Sequence, residues 1–240
     1  MDAIVQARMG STRLPGKILL DLEGKYVLQH VIDRLNNTKG INKIIVATTV
    51  NSEDDVIVEY CKSNNILFYR GSSQNVLERF YMCANHFNCK HIMRVTSDTP
   101  LIDSNYLDDM INYYFSNNYS CLEPFYETDN KINLSGYSRF PDGFNVGIFS
   151  KSMLDLSYKN ASTDLEREHV TTYIIKYCNP PIFKYSFKKT YKNINLCNLH
   201  LSLDTKADYL LLQNIFKELF KKNNFFGIED VLTYLDSKSE

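Results

Sequence analysis

The feature that most constrains the fold is a regular alternation of short apolar runs with longer amphipathic stretches. Each run rich in Ile and Val is followed by a stretch whose apolar residues repeat at helical spacing. The first four pairs are 3–7 with 27–35, 43–48 with 54–62, 66–69 with 76–87, and 91–95 with 105–115. This alternation predicts an α/β fold, with a mainly parallel sheet covered by helices on both faces.

The second half of the chain continues the pattern less regularly. Further strands are predicted at 145–149, 182–187 and 199–203, and the chain closes with predicted helices at 206–221 and 228–235. Between the fourth pair and the strand at 145–149, the stretch 120–140 is polar, which predicts an excursion or hairpin. The chain has 240 residues, 44% of them hydrophobic, and no long linker, so we expect a single domain spanning 1–240.

Three sequence patterns predict helix starts. A hydroxyl residue followed three positions later by an acidic residue is a capping box, in which each side chain bonds the other residue's backbone N–H. The three pairs are Ser52 with Asp55, Thr163 with Glu166, and Thr205 with Asp208.

Composition excludes several classes of function. The net charge of -1 gives no general attraction to nucleic acid or to an anionic membrane. No stretch approaches the ~20 apolar residues of a membrane span, and no signal-peptide core is present, so a cytoplasmic protein is expected. The six cysteines show no Cys-x-x-Cys spacing and the five histidines form no pair at helical spacing. Neither a zinc site nor a disulfide framework is therefore expected.

The loop after the first apolar run has the composition of an anion site. Its cations are Arg8, Arg13 and Lys17, and its glycines are Gly10 and Gly16. The cations offer charge-assisted hydrogen bonds, while the glycines let a ligand approach backbone N–H groups, which suits several phosphate oxygens. The spacing is not that of a Walker A loop, which requires a hydroxyl residue where Ile18 stands. The alternative is a surface loop with scattered cations.

Two carboxylates follow apolar runs and are candidates for a divalent cation site. Asp98 follows the run 91–95, in a loop that Pro100 stiffens, and Asp204 follows the run 199–203. In open α/β sheets the ligand lies beyond the carboxyl ends of the strands, so both side chains are well placed to share one Mg2+. The alternative is that each carboxylate only caps the helix that follows it.

Six stretches together resemble the cytidylyltransferase family of CMP-sugar synthetases. They are VQARMGSTRLPGKIL, RGSSQNVLERFY, RVTSDTPLID, FPDGFNVGIFS, EREHVT and LSLDTKADY, in the family's order between residues 4 and 209. The family's members include the 3-deoxy-manno-octulosonate and acylneuraminate enzymes, and the branch that the chain resembles most includes the spore-coat polysaccharide cytidylyltransferase-like proteins. The resemblance implies a Rossmann-like nucleotidyltransferase fold, CTP as co-substrate, Mg2+, a homodimer, and release of pyrophosphate as CMP is joined to a sugar.

The resemblance also implies roles for individual residues. Those assigned to the triphosphate are Arg8, Gly10, Ser11, Arg13 and Lys17. Asp98 and Asp204 would hold Mg2+, and together with Arg8 and Lys17 they form the implied catalytic set. The backbone around Ala7 and the segment containing Asn75 and Arg79 would lie near the cytosine. The sugar hydroxyl would attack the α-phosphorus directly, without a covalent enzyme intermediate.

The chain departs from the family's pattern near the implied acceptor site. Asn145 and Gly147 stand where the pattern has carboxylates, and Asn75 stands where members often have Asp. Asn145 is a candidate for contacting the acceptor. Arg167 and His169 are candidates for binding an acceptor carboxylate or phosphate, with a solvent-exposed helix start as the alternative.

Three functions therefore remain open: transfer of CMP to an acidic sugar of the nonulosonic or octulosonic type, transfer to a sugar phosphate, polyol phosphate or phosphonate, and a catalytically weak nucleotide-binding protein. The intact Arg8, Lys17, Asp98 and Asp204 argue against the third.

Overall fold

A computed structural model describes residues 1–125, 141–189, 191, 193–196 and 199–238. The strands are β1 (Asp2–Gln6), β2 (Asp21–Leu22), β3 (Lys25–Tyr26), β4 (Lys43–Thr49), β5 (Leu67–Gly71), β6 (His91–Thr96), β7 (Cys121–Phe125), β8 (Gly147–Ser150) and β9 (Ile182–Lys184). The α-helices are α1 (Val27–Asn36), α2 (Asp55–Ser63), α3 (Val76–His86), α4 (Ser104–Ser116), α5 (Lys151–Asn160), α6 (Asp164–Glu168), α7 (Thr172–Cys178), α8 (Lys206–Leu219) and α9 (Ile228–Lys238).

The described part of the chain is built on a seven-stranded sheet in the order β5-β4-β1-β6-β8-β7-β9. The pairs β4–β5, β1–β4, β1–β6 and β7–β9 are parallel, whereas β8 is antiparallel to both of its neighbours. The strands β2 and β3 form a separate short hairpin. The predicted mainly parallel α/β sheet is confirmed.

Helices cover both faces of this sheet. Along β1, Ala3 and Val5 belong to one buried cluster, while Ile4 between them belongs to the other, because alternate side chains of a strand point to opposite faces. The first cluster also includes apolar residues of α1, α2, α4, α8 and α9, and the second includes those of α3, α5 and α7. No helix among the described residues is long and apolar enough to cross a membrane.

Two of the three predicted capping boxes are confirmed. Thr163 with Glu166 and Thr205 with Asp208 each make both reciprocal bonds, at the starts of α6 and α8. The prediction at Ser52 is wrong, because Ser52–Asp54 forms a 3-10 turn and no side chain caps α2. The carboxylate of Asp54 faces the interior instead, where it accepts hydrogen bonds from Met9 N in the loop after β1 and from Thr49 N at the end of β4.

The predicted strand at 199–203 is also wrong. Within the part of the chain that the structure describes, this segment forms only a single bridge, between His200 and Asp142. The segment makes isolated bonds to two separate loops: Leu201 N donates to Asp142 O, and Leu203 N donates to Asp98 O. Among the described residues no continuous partner strand lies beside it, so no ladder forms there.

The polar stretch at 120–140 begins with a strand that the sequence did not predict. Residues 121–125 form β7, which pairs with β8 on one side and β9 on the other. The rest of the predicted excursion, 126–140, lies outside the described residues.

One buried carboxylate joins the starts of two helices that are distant in sequence. Asp103 Oδ1 accepts from Asn105 N at 2.9 Å at the start of α4, and its Oδ2 accepts from Ile228 N at 2.8 Å at the start of α9. The adjacent Arg34 donates to Phe226 O at 2.8 Å, and burial lowers the pKa of Arg34 to about 10, against the opposing charge of Asp103. This junction attaches the C-terminal helix to the core.

We expect Asp103→Ala to lower the free energy of unfolding by about 2 kcal/mol, since it removes one helix cap and leaves buried N–H groups without an acceptor. Urea denaturation measures this change. The matched control is Asp109→Ala, on the exposed side of α4, which we expect to change stability by less than about 0.5 kcal/mol. Equal effects of the two substitutions would contradict the role assigned to Asp103.

Candidate active site

The site lies where β1 and β6 end side by side. These strands are parallel neighbours, with Gln6 in register with Thr96, so the loops that follow them start at the same edge of the sheet. The loop after β6 carries Asp98, whose backbone oxygen accepts from Leu203 N at 2.8 Å. This bond brings Asp204 beside Asp98, although the two are far apart in the sequence.

The loop after β1 is held by its backbone. Ala7 N donates to Ala47 O at 3.2 Å, and Met9 N donates to Asp54 Oδ1 at 2.6 Å. Gly16 N donates to Met9 O at 3.1 Å, and Gly16 adopts a φ of +71°, which favours glycine. The loop is therefore closed on itself and fastened to the turn before α2 by a buried carboxylate.

Two other loop residues predicted to contact phosphate have neighbours within the protein. Ser11 N donates to Met9 O at 2.8 Å, and its hydroxyl accepts from Leu14 N at 3.4 Å. A Cβ on Gly10 would lie 2.6 Å from Glu53 Oε1, so this position admits no larger residue unless Glu53 moves. In this structure both residues shape the loop.

Lys17 connects the loop to both candidate carboxylates. Its Nζ donates to Asp98 Oδ2 at 2.6 Å and to Asp204 Oδ1 at 2.9 Å. Only 11% of the Lys17 side chain is exposed, compared with 23% for Asp98 and 18% for Asp204. An ion pair in a partly dehydrated site is less screened than one on the surface, so this bridge is a strong local interaction.

Arg13 adds a second cation to Asp204. Its guanidinium lies 2.9 Å from Asp204 Oδ1 but remains largely exposed to solvent. Burial alone would raise the pKa of Asp204, but the hydrogen bond and charge of Lys17, with the charge of Arg13, outweigh it and lower that pKa. Asp204 is therefore held in its ionised form.

The structure adds a histidine that the sequence interpretation missed. His200 Nε2 lies 3.4 Å from Asp204 Oδ2, and its Nδ1 lies 2.5 Å from Asp142 Oδ2. Ser202 donates to the other oxygen of Asp142 at 2.8 Å. No motif marks His200, because it joins the site through a loop that had been interpreted as a strand. The polar groups beside Asp204 thus extend to the residues just before β8.

Arg8 differs from the other two cations of the loop. It is exposed, and within the described part of the chain its guanidinium has no ion pair or hydrogen bond. Its charge lowers the pKa of Arg79, whose value falls to about 10 mainly because of burial. Arg8 is thus a cation at the site that is not committed to a protein partner.

The segment predicted to lie near the nucleobase begins α3. Asn75 is the N-cap residue, and its side-chain oxygen accepts from Glu78 N at 3.0 Å. Arg79 is buried and donates to Ser72 O, while its Nε has no partner within the described residues. Asn75 and Arg79 therefore stabilise the start of α3 and the residues just before it.

The three candidate acceptor residues do not meet the Lys17 cluster. Arg167 and His169 are exposed on and just after α6, and Arg167 makes only a 3.5 Å contact with Asp164. Asn145 is half-buried just before β8.

The carboxylate pair fits a divalent cation that is completed by a nucleotide. Asp98 and Asp204 already direct one oxygen each toward a shared cation, the ammonium of Lys17. Mg2+ takes oxygen ligands and is often bound through one or two carboxylates plus substrate phosphates. The described residues contain no group of three or more His, Cys, Asp or Glu arranged as a metal site, so protein ligands alone would not complete the shell.

Comparisons with known proteins give the family. The model of the family described as cytidylyltransferase matches residues 3–217. Protein MJ1063 of Methanocaldococcus jannaschii is 33% identical, over 99% of this chain and 90% of that protein. The spore coat polysaccharide biosynthesis protein SpsF of Bacillus subtilis is 29% identical, over 90% of this chain and 85% of its own length. A 3-deoxy-manno-octulosonate cytidylyltransferase of Geobacter sulfurreducens is 31% identical, over 46% of this chain and 44% of the enzyme.

Solved structures agree on the fold. A cytidylyltransferase from Leptospira borgpetersenii superposes with a TM-score of 0.83 at 28% identity, covering 98% of this chain and 93% of that one. A CMP:2-keto-3-deoxy-manno-octonic acid synthetase complexed with CTP gives a TM-score of 0.67 at 15% identity, covering 90% of this chain and 98% of that one. The second likeness bears on the fold alone. The chain belongs to the cytidylyltransferase family, and it is a nucleotidyltransferase enzyme that uses CTP.

Proposed function

We propose that this enzyme transfers CMP from CTP to an acidic sugar of the nonulosonic or octulosonic type, releasing pyrophosphate in the synthesis of a surface polysaccharide. The observation that carries the proposal is the cluster in which Lys17 bridges Asp98 and Asp204 beside a cationic loop. Relatives named for 3-deoxy-manno-octulosonate and for spore-coat polysaccharide support the acidic-sugar class. We further propose that the enzyme acts in the cytoplasm as a homodimer, which light scattering would test.

In this proposal the loop after β1 binds the triphosphate. Among the described residues, Arg8 is the cation of this loop that has no protein partner, and Arg13 and Lys17 are within reach of the same edge of the sheet. Gly10 and Ser11 keep the loop in its closed shape, while Ala7 and the start of α3 lie on the nucleobase side. A tetra-anionic nucleotide needs several cations, and this one loop carries three of them.

The reaction is a displacement at the α-phosphorus. An oxygen of the sugar hydroxyl forms a bond to the α-phosphorus as the bond from that phosphorus to the bridging oxygen of pyrophosphate breaks. The hydroxyl proton leaves to solvent or a nearby base, and the pyrophosphate carries the electron pair away. Lys17, Arg13 and Arg8 stabilise the charge on that leaving group, and the fixed loop positions the phosphates, which accounts for most catalysis in phosphoryl-type transfer.

The metal fits the same place. Asp98 and Asp204 would hold Mg2+, which when bound would neutralise phosphate charge and polarise the phosphoryl oxygens. Asp204 is suited to this because Lys17 and Arg13 keep its pKa low in spite of burial.

A second acceptor class is supported by the positions at which the chain departs from the family's pattern. Asn145 and Gly147 carry no charge, whereas Arg167 and His169 are exposed and suited to an anion. A sugar phosphate, polyol phosphate or phosphonate would use those cations. This alternative keeps the nucleotide site unchanged and differs only in the acceptor.

The primary test is pyrophosphate release with Mg2+, each of the four nucleoside triphosphates being combined with acidic sugars, sugar phosphates and phosphonates. We expect release with CTP and an acidic sugar. Release only with a phosphate or phosphonate would transfer the assignment to the second class. Binding of CTP without release for any acceptor would contradict the catalytic proposal.

For Asp98→Asn we expect a loss of turnover of about 100-fold or more, because the substitution removes one of the two carboxylates proposed for the metal. Thermal unfolding should change little, since the amide keeps the size of the side chain. The matched control is Asp109→Asn, on the exposed face of α4. Activity within a few-fold of the parent would show that the metal assignment is wrong.

Lys17→Ala should weaken CTP binding by about tenfold or more, because it removes a charge-assisted contact to phosphate, and pyrophosphate release should also slow. Calorimetry with CTP measures the affinity. Lys221→Ala, at an exposed lysine after α8, is the control and should bind CTP as the parent does. An unchanged affinity in Lys17→Ala would contradict the phosphate role of the loop.

A further inference from the structure

Three residues on adjacent strands form a row that the nucleotide site does not use. Arg94 of β6 is in register with Gly147 of β8. The pairing of β7 with β8 runs from Cys121–Phe149 to Leu122–Ile148, so Glu123 is next in line, opposite Gly147. Residues opposite each other in neighbouring strands share a face of the sheet. Arg94 and Glu123 therefore flank a glycine on one face.

The missing side chain at Gly147 leaves room that Glu123 enters. A Cβ built on Gly147 would lie 3.0 Å from Glu123 Oε1 and 2.9 Å from the Cγ2 of Thr171. Such distances are shorter than ordinary van der Waals contact, so the glycine allows the carboxylate to lie above the strand. Thr171, which precedes α7, closes the opposite side of this space.

Both charged groups have unused hydrogen-bonding capacity. Arg94 donates from Nη2 to Gln6 Oε1 at 3.2 Å, whereas its buried Nε has no partner within the described residues. Within the described residues, the carboxylate of Glu123 has neither an ion pair nor a hydrogen bond. The backbone N–H of Glu123 donates to Pro181 O. A buried donor without a partner is unfavourable and is usually satisfied, so the Nε of Arg94, beside the half-buried and unpaired carboxylate of Glu123, points to a ligand.

The electrostatics agree with a desolvated pair. Burial raises the pKa of Glu123 to about 8, and the charge of Arg94 only partly opposes that rise. Burial also lowers the pKa of Arg94, against the charges of Glu123 and Asp98. A ligand that donates a hydrogen bond to Glu123 would stabilise its ionised form.

The row is linked directly to the nucleotide site. Gln6, which accepts from Arg94, is the last residue of β1 and immediately precedes Ala7 of the cationic loop. Arg94 and Asp98 are carried by the same strand and the turn that follows it. A molecule lying above Gly147 is therefore next to the place proposed for the triphosphate.

We propose that Arg94 and Glu123 bind the acceptor above Gly147, with Glu123 accepting a hydrogen bond from an acceptor hydroxyl and Arg94 Nε donating to an acceptor oxygen. This inference rests on the proposed function and specifies its acceptor as a polyhydroxylated molecule. Glu123 and Arg94 are specificity-determining residues in this arrangement, and the nucleotide contacts do not involve them.

The test measures binding of three probes to the CTP-loaded protein by saturation-transfer NMR without Mg2+. The probes are 3-deoxy-manno-octulosonate, N-acetylneuraminate and glycerol 3-phosphate. For the probe that binds the parent protein, Glu123→Gln should raise the dissociation constant about tenfold, because the amide has nearly the same shape but cannot take up the negative charge that the bound hydroxyl would stabilise on the carboxylate. Gly147→Ala should do the same, since its methyl group occupies the position of the carboxylate.

Two controls separate this loss from misfolding. Glu218→Gln, at an exposed glutamate of α8, should bind the probes as the parent does. Calorimetry should show unchanged CTP affinity in every variant. Probe binding that is the same in Glu123→Gln as in the parent would overturn the inference, and so would a parent protein that binds CTP but none of the probes. The proposed function is tested by a different measurement: it is wrong if no acceptor gives pyrophosphate release with CTP and Mg2+.

Discussion

The site depends on one ammonium group that two carboxylates share. Asp98 and Asp204 both bond to Lys17 Nζ, and each is less than one quarter exposed. Without that cation, two negative charges would face each other in a partly dehydrated space, which is unfavourable. Lys17 therefore permits the sheet edge to concentrate acidic groups at the place where we propose that a metal and a triphosphate bind. The same lysine belongs to the loop that would hold the phosphates.

The supports of this arrangement are largely backbone bonds and buried carboxylates. Asp54 holds the cationic loop by accepting a hydrogen bond from Met9 N. The bond from Leu203 N to the backbone oxygen of Asp98 brings the distant Asp204 into place. Each support joins segments that are far apart in sequence, so the site forms only with the complete sheet. Rigid supports of this kind reduce the reorganisation that binding and catalysis would otherwise require.

The two halves of the proposed active site have different chemistry. The nucleotide side is a loop with three cations, whereas the proposed acceptor side is a half-buried arginine and glutamate around Gly147. Gln6 connects them, because it ends the strand that precedes the loop and accepts from Arg94. Glycine at 147 removes one side chain from the sheet and so admits the carboxylate of Glu123 from the next strand.

Local pattern determined the alternation of strands and helices, the two capping boxes at Thr163 and Thr205, and the types of residue that follow β1 and β6. These features depend on neighbours within a few positions, which hydrophobic spacing and capping chemistry record directly. Only the tertiary structure decided that 199–203 is not a strand, that Cys121–Phe125 is one, and that His200 and Glu123 lie beside the predicted residues. Each of these depends on which distant segment is adjacent, and a single sequence carries no local signal for that pairing.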